Sequence, residues 1–218
     1  MFYNSTMLIT ILRIIDFVFP PHPAIKILRP LTPKNFAELA KIDHFPHLVT
    51  LAHYQNPSIK AAITANKFHD HKPASRLLAG LLHQYLSSLP YFPTLLIPIP
   101  LAKEREQKRG YNQVTRVIKN LDHFPALPFP VKTIPFLSKT KNTPPQTSLK
   151  RHDRLHNLDH AFAFQAVHSD FSLDDLSKYR IFIVDDVMTT GSTLKSAYAE
   201  LKPHFPASAP LACIALAH

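Results

Sequence analysis

The stretch Ile181–Thr193, IFIVDDVMTTGST, decides the fold. Its apolar start, Ile181–Val184, reads as a buried strand. The strand leads into adjacent carboxylates, Asp185 and Asp186, and then into a run of small hydroxyls around one glycine: Thr189, Thr190, Gly191, Ser192 and Thr193. Beyond it Leu194, Ala197, Tyr198 and Leu201 recur at helical spacing. A strand, a turn and a helix in that order form the repeating unit of α/β proteins, which bind ligands at the carboxyl ends of their strands. Free N–H groups and the dipole at a helix start favour a phosphate. Gly191 lets the backbone curl around the anion, and the hydroxyls add hydrogen bonds. Asp185 and Asp186 repel a phosphate, so their partner is a vicinal diol or a Mg²⁺ ion, held directly or through water. Phosphate beside a diol describes a ribose 5-phosphate. The plainer alternative, an acid-tipped strand before a capped helix, leaves two buried carboxylates with nothing to offset their desolvation. No GxGxxG and no GxxxxGK[ST] occurs, which sets aside dinucleotide and P-loop readings.

Working outward, Thr94–Ile99 is a second apolar strand closed by prolines, Val131–Leu137 a weaker one, and Leu211–Ala217 a last one. Between them lie helical patterns: Leu77, Leu78, Leu81, Leu82 and Tyr85 within Ala74–Ser88, and Val114, Val117, Ile118 and Leu121 after a charged loop. The alternation predicts an α/β class with a mostly parallel sheet flanked by helices. Nearer the N-terminus, Met7–Phe19 is patterned as an amphipathic helix, and Phe19–Pro23, FPPHP, as a rigid extended connection. Thr32-Pro33 starts a helix, with Thr32 as N-cap. Residues 48–68 read as helix in two pieces divided at Asn56-Pro57. The expected division is a helical appendage over 1–47 and an α/β domain over 48–218.

With 218 residues, of which 45% are hydrophobic and 18% charged, the chain can bury a core and is not disordered throughout. A single cysteine, Cys213, excludes a disulfide framework or a zinc site built on several thiolates. Only three glycines remain, so each is expected where a side chain cannot stand. The net charge of +10 points to a polyanionic partner without choosing among nucleic acid, anionic lipid and a phosphorylated metabolite. Met7–Phe19 is too short to span a bilayer and lacks signal-peptide flanks, so a cytoplasmic protein is expected. His152, His156 and His160 share a helical spacing, but histidine is abundant here and the spacing reads as coincidence.

The stretch around Asp185 and Asp186 resembles the phosphoribosyl pyrophosphate (PRPP) signature of type I phosphoribosyltransferases. Other segments are similar to the competence protein F (ComF) family within that group: Ile97-Pro98-Ile99-Pro100, then Arg105, then Arg109-Gly110-Tyr111-Asn112-Gln113, then Thr143–Asn157 with Ala161-Phe162. The resemblance covers about 51–218. It implies a type I phosphoribosyltransferase-like fold with an N-terminal hood. It also implies that Lys103, Arg105 and Arg109 meet the pyrophosphate, a role suited to cations that take up charge as it departs. The segment holding Gln146 would be the loop that closes over the reacting centre. Asp185, Asp186 and Arg105 are then the expected catalytic residues, and Lys103, Arg109, Gln146 and Thr189–Thr193 the substrate-binding ones. Mg²⁺ would arrive with PRPP. Where relatives begin a zinc ribbon this chain has His22 and no cysteine, so no zinc is expected. The same resemblance admits a second role, a non-enzymatic accessory of DNA uptake that binds single-stranded DNA or a helicase partner.

Overall fold

A computed structural model describes residues 22–140, 161–166 and 173–218. The helix expected over Met7–Phe19, Gln146 and the histidines at 152, 156 and 160 lie outside the described residues.

The first described elements are helices α1 (Pro23–Leu28) and α2 (Pro33–Ala37). A hairpin of β1 (Asp43–Phe45) and β2 (Leu48–Thr50) follows, then α3 (Pro57–Phe68) and α4 (Lys72–Ser87). Next come β3 (Thr94–Pro98), α5 (Lys103–Arg109), α6 (Gln113–Lys119) and β4 (Val131–Thr133). Strands β5 (Leu137–Lys139) and β6 (Phe162–Phe164) pair with each other outside the main sheet. The chain ends with β7 (Arg180–Val187), α7 (Ser192–Leu201) and β8 (Leu211–Ala217). The main sheet is six-stranded in the order β1-β2-β8-β7-β3-β4. Within this sheet β1–β2 is antiparallel, and β2–β8, β8–β7, β7–β3 and β3–β4 are parallel. This is the expected α/β class with a mostly parallel sheet flanked by helices. Among the described residues no helix is long and apolar enough to cross a membrane.

Strand alternation divides the core in two. Leu96, Phe182, Val184, Ile214 and Leu216 face the layer that contains α3, α4 and α6. Leu95, Ile97, Ile181, Ile183, Cys213 and Ala215 face α7 and the β5–β6 hairpin. Both faces of the central strands are therefore covered, which is why IFIV is apolar without interruption. Helix starts are written locally. The Thr32 side chain accepts from the Asn35 N–H and the Asn35 side chain accepts from the Thr32 N–H, closing a capping box before Pro33. Asn56 caps α3 through the Ser58 and Ile59 N–H groups.

Four expectations are corrected. Leu48–Thr50 is strand, not helix: a run this short has no diagnostic periodicity, and pairing with β8 decides it. Val131–Leu137 is not one strand, because Pro135 lacks the N–H a ladder needs; β4 joins the main sheet and β5 leaves it for β6. Pro23 does not end an extended connection but opens α1, with the His22 imidazole accepting from the Ala24 N–H. The charged loop after β3 is helix α5.

Gly80 marks a close approach between helices. A Cβ there would stand 3.1 Å from the Pro33 carbonyl oxygen and 3.4 Å from the Pro33 Cβ, so α4 touches the start of α2 through bare backbone. Gly80→Leu is expected to push α2 off α4 and to lower stability by about 1–3 kcal/mol, measured by urea unfolding.

Candidate functional site

The crossovers place the site. From β3 the chain passes through α5 and α6 to β4 at one side; from β7 it passes through α7 to β8 at the other. Helix α6 packs on one face of the sheet and α7 on the opposite face. Strand order thus reverses between β3 and β7, and a crevice opens at their carboxyl ends. It forms a cleft of about 650 Å³. The lining includes Asp185, Asp186, Thr189, Gly191, Ser192 and Thr193 on one side and Arg105, Arg109 and Gln113 on another, with Tyr54, Lys67, Phe68 and Lys139 at its walls.

Asp185 and Asp186 do not follow the strand; they belong to it, since β7 runs on to Val187. Adjacent strand residues leave on opposite faces. Asp185 continues the Ile181–Ile183 face, toward Cys213 and Lys139. Asp186 continues the Phe182–Val184 face, toward α3. Both are buried, at 7% and 4% exposure. The Asp186 N–H donates to Asp185 Oδ1 at 2.8 Å. Lys67 Nζ stands 3.4 Å from Asp186 Oδ2 and offsets its charge, yet it completes no hydrogen bond, so this buried oxygen lacks a donor.

Burial pushes the Asp185 carboxyl up to about 7, and the neighbouring Asp186 charge adds to that rise; the Asp186 N–H, Lys67 and Lys139 act against it. Burial, with Arg105 assisting, lowers Lys139, while Asp185 supports its charge. Arg109 is lowered by burial too, against the pull of Tyr111 and Asp186. Its guanidinium donates to the Gln113 side chain and lies 5.7 Å from the Phe68 ring centre. Burial, and secondarily Asp185, pushes the Cys213 thiol up to about 12, which leaves it an inert core group.

The turn between β7 and α7 is built around Gly191, which precedes α7 at φ +72°, a conformation that strains any residue with a Cβ. Gly191 offers no side chain to cap the ten-residue α7, and the Thr190 hydroxyl accepts from the Ser192 N–H at 3.4 Å. The Thr190 hydroxyl is 2.8 Å from the Ser192 hydroxyl, within the turn itself. Asn112 accepts from the Val114 and Thr115 N–H groups and donates to the Ile99 carbonyl, so it caps α6 and ties it to the end of β3.

Of the residues singled out in the sequence, the cleft brings together Asp185, Asp186, Arg105, Arg109, Thr189, Gly191, Ser192 and Thr193. Lys103 and Thr190 are exposed and stand outside its lining. Lys67, Tyr54 and Phe68 were not foreseen. They come from the α3 region, where the sequence shows only a helix with a basic last turn.

Asp185 sets a sign for pH dependence. Its carboxyl rises from 3.8 to about 7 in the folded chain, so between these values the folded form holds a proton that the unfolded form releases. Stability of the ligand-free chain should therefore fall as pH climbs through that window, with a slope of at most about 1.4 kcal/mol per pH unit. Asp185→Asn should flatten that descent in urea unfolding series. An equally steep descent in the variant would place its origin elsewhere.

Comparison with known proteins gives the chain its relatives. Competence protein F of Haemophilus influenzae is 31% identical over 152 residues, 67% of this chain and 62% of that protein. The DNA utilization protein YhgH of Salmonella typhi is 28% identical over 162 residues, 72% of this chain and 66% of that protein. The YhgH of Escherichia coli O157:H7 is 28% identical over 161 residues, with the same coverage of 72% and 66%. The chain thus matches just under two thirds of the length of these curated relatives. No family model matches it. Among solved structures, adenine phosphoribosyltransferase from Leishmania tarentolae aligns with 81% of this chain and 94% of its own at 11% identity and a TM-score of 0.39, a likeness too loose to carry structural inference. The chain is a homologue of competence protein F and of DNA utilization protein YhgH.

Proposed function

We propose that the cleft binds PRPP and that the chain is a phosphoribosyltransferase-like protein, transferring or recognising a 5-phosphoribosyl group with Mg²⁺. One observation carries this reading. A buried carboxylate oxygen without a donor, Asp186 Oδ2, lies in the same cleft as a helix start that has glycine at its N-cap and suits a phosphate. Ribose hydroxyls are donors of the right kind, and the carboxylates would accept from them. Thr189, Gly191, Ser192 and Thr193 would hold the 5-phosphate by hydroxyl and backbone donors. Arg105, Arg109 and Lys139 would face the diphosphate.

The donor set also fits Mg²⁺: carboxylate oxygens from Asp185 and Asp186, with the remaining positions filled by ligand oxygens and water. Bound there, the ion would supply positive charge to the diphosphate. In a transfer, the C1–O bond of the ribose breaks, pyrophosphate leaves with the electron pair, and the lone pair of an acceptor nitrogen forms the new bond at C1. The chain's part is to orient the ribose and to meet the developing negative charge with fixed cations. Phe68, 66% exposed at the cleft wall, offers a flat face to an acceptor ring.

Calorimetric titration with PRPP tests the reading. Binding in the micromolar range that requires Mg²⁺ is expected, and the Asp185→Asn/Asp186→Asn double variant should lose it. Equal binding by both proteins would remove the site assignment.

The names of the relatives favour a second reading, an accessory in DNA uptake or use. A separate cleft of about 660 Å³ supports it, lined by Arg29, Lys72 and Arg76 with His71 and His123, while a fourth cation of the lining, Arg116, is paired with Asp70. Such a lining suits a phosphodiester backbone. Single-stranded DNA binding, followed by fluorescence anisotropy, should weaken with salt. Lys72→Ala should reduce the slope of log affinity against log salt by about 0.7, the share of a single phosphate neutralised by one lysine. An unchanged slope would show that DNA binds elsewhere on the chain.

A further inference from the structure

Away from that pair of clefts, three metal-ligating side chains converge. Asp43 Oδ2 lies 2.9 Å from His53 Nε2 and 3.4 Å from His218 Nε2. The three ligand atoms all fall within 4.8 Å of one another. Ligands about 2.0–2.1 Å from a tetrahedral zinc ion stand about 3.3 Å apart, so the two separations from Asp43 are already close to the spacing such an ion would impose. From this geometry we propose that Asp43, His53 and His218 form a binding site for a divalent transition metal of the Zn²⁺ type, with water completing the coordination.

The surroundings favour a metal over a simple hydrogen-bonded trio. His218 Nδ1 is 2.8 Å from the Thr50 hydroxyl, and Thr50 is fully buried in β2. In the tautomer that places its proton on Nδ1, His218 donates to the Thr50 hydroxyl and presents the Nε2 lone pair to a metal ion beside Asp43. A partner on the distal nitrogen in this manner is the usual support of a ligating imidazole. The backbone fixes the same residue from both sides: the His218 N–H donates to the Ala52 carbonyl, and its own carbonyl accepts from the Tyr54 N–H. Rings crossing at 5.1 Å set His53 edge-on to His218, and Phe45 meets the His218 ring at 5.9 Å. His53 and Asp43 are each 41% exposed and His218 28%, so an ion and its water can enter. Two imidazoles and one carboxylate select zinc and its neighbours over Mg²⁺, which prefers oxygen ligands alone.

This site differs from the zinc ribbon that the missing thiolates exclude. His22, which stands where a ribbon would begin, spends its Nδ1 on capping α1. It also differs from the Mg²⁺ position proposed at Asp185 and Asp186, and its test is independent of PRPP.

The full chain, stripped with a chelator, should be titrated with Zn²⁺ against a chromophoric competitor and with Co²⁺ in the visible range. One tight equivalent and intense tetrahedral Co²⁺ bands are expected. His53→Gln and Asp43→Asn should each weaken that equivalent roughly tenfold or more, and Thr50→Val should weaken it by about 10–100-fold as a supporting residue. His123→Gln, remote from the cluster, should leave it intact. Thermal unfolding should rise with Zn²⁺ in the wild type and not in His53→Gln. Several weak equivalents, or a tight one indifferent to both His53→Gln and Asp43→Asn, would overturn the proposal.

Discussion

The structure turns on two neighbouring carboxylates within a strand that is covered on both faces. Consecutive positions of β7 cannot face the same layer, so Asp185 and Asp186 each need a counter-charge from a different side of the sheet. Lys67 reaches Asp186 from α3 on one face. Lys139 acts on Asp185 from β5 on the other. Burying one such charge without compensation costs several kcal/mol, roughly. The β5–β6 hairpin and the end of α3 are therefore electrostatic parts of the site as well as packing layers.

That constraint explains how the cleft is divided. The reversal of strand order between β3 and β7 opens the crevice, and the helix on each side contributes a different chemistry. Helix α7 brings a backbone turn that favours an anion. Helix α5 brings Arg105 and Arg109 across from it, and α3 closes the wall with Lys67 and Phe68. Cationic groups meet the cleft from three elements, while its acids come from β7.

Much of this was legible in the sequence, for identifiable reasons. An eight-residue strand buried on both faces leaves an unbroken apolar run, and a helix opened by a glycine at positive φ leaves a glycine amid small hydroxyls. Both signals are local. The capping box at Thr32 and Asn35 is local too. What escaped was non-local. Leu48–Thr50 becomes strand only because β8 lies beside it. Lys67 is one basic residue at the end of an ordinary helix until the fold sets it against Asp186. Thr190 differs from its neighbours in the hydroxyl run: it stands outside the cleft lining, and its hydroxyl lies 2.8 Å from that of Ser192.

The same residues show where the chain departs from agreement between local and global preference. Elsewhere the apolar pattern, the caps and the strand pairing point to one structure. On β7 the apolar run from Ile181 to Val184 leads into two acids, one whose carboxyl burial pushes up to about 7 and the other with an oxygen lacking a donor. Conflicts of this kind concentrate at sites that are completed by something outside the chain. A ligand that supplies hydroxyl donors or a divalent ion would satisfy the open oxygen and draw the remaining proton from Asp185. Occupation of the cleft would then be coupled to proton release, a consequence of the strand's alternation rather than of any mobile part.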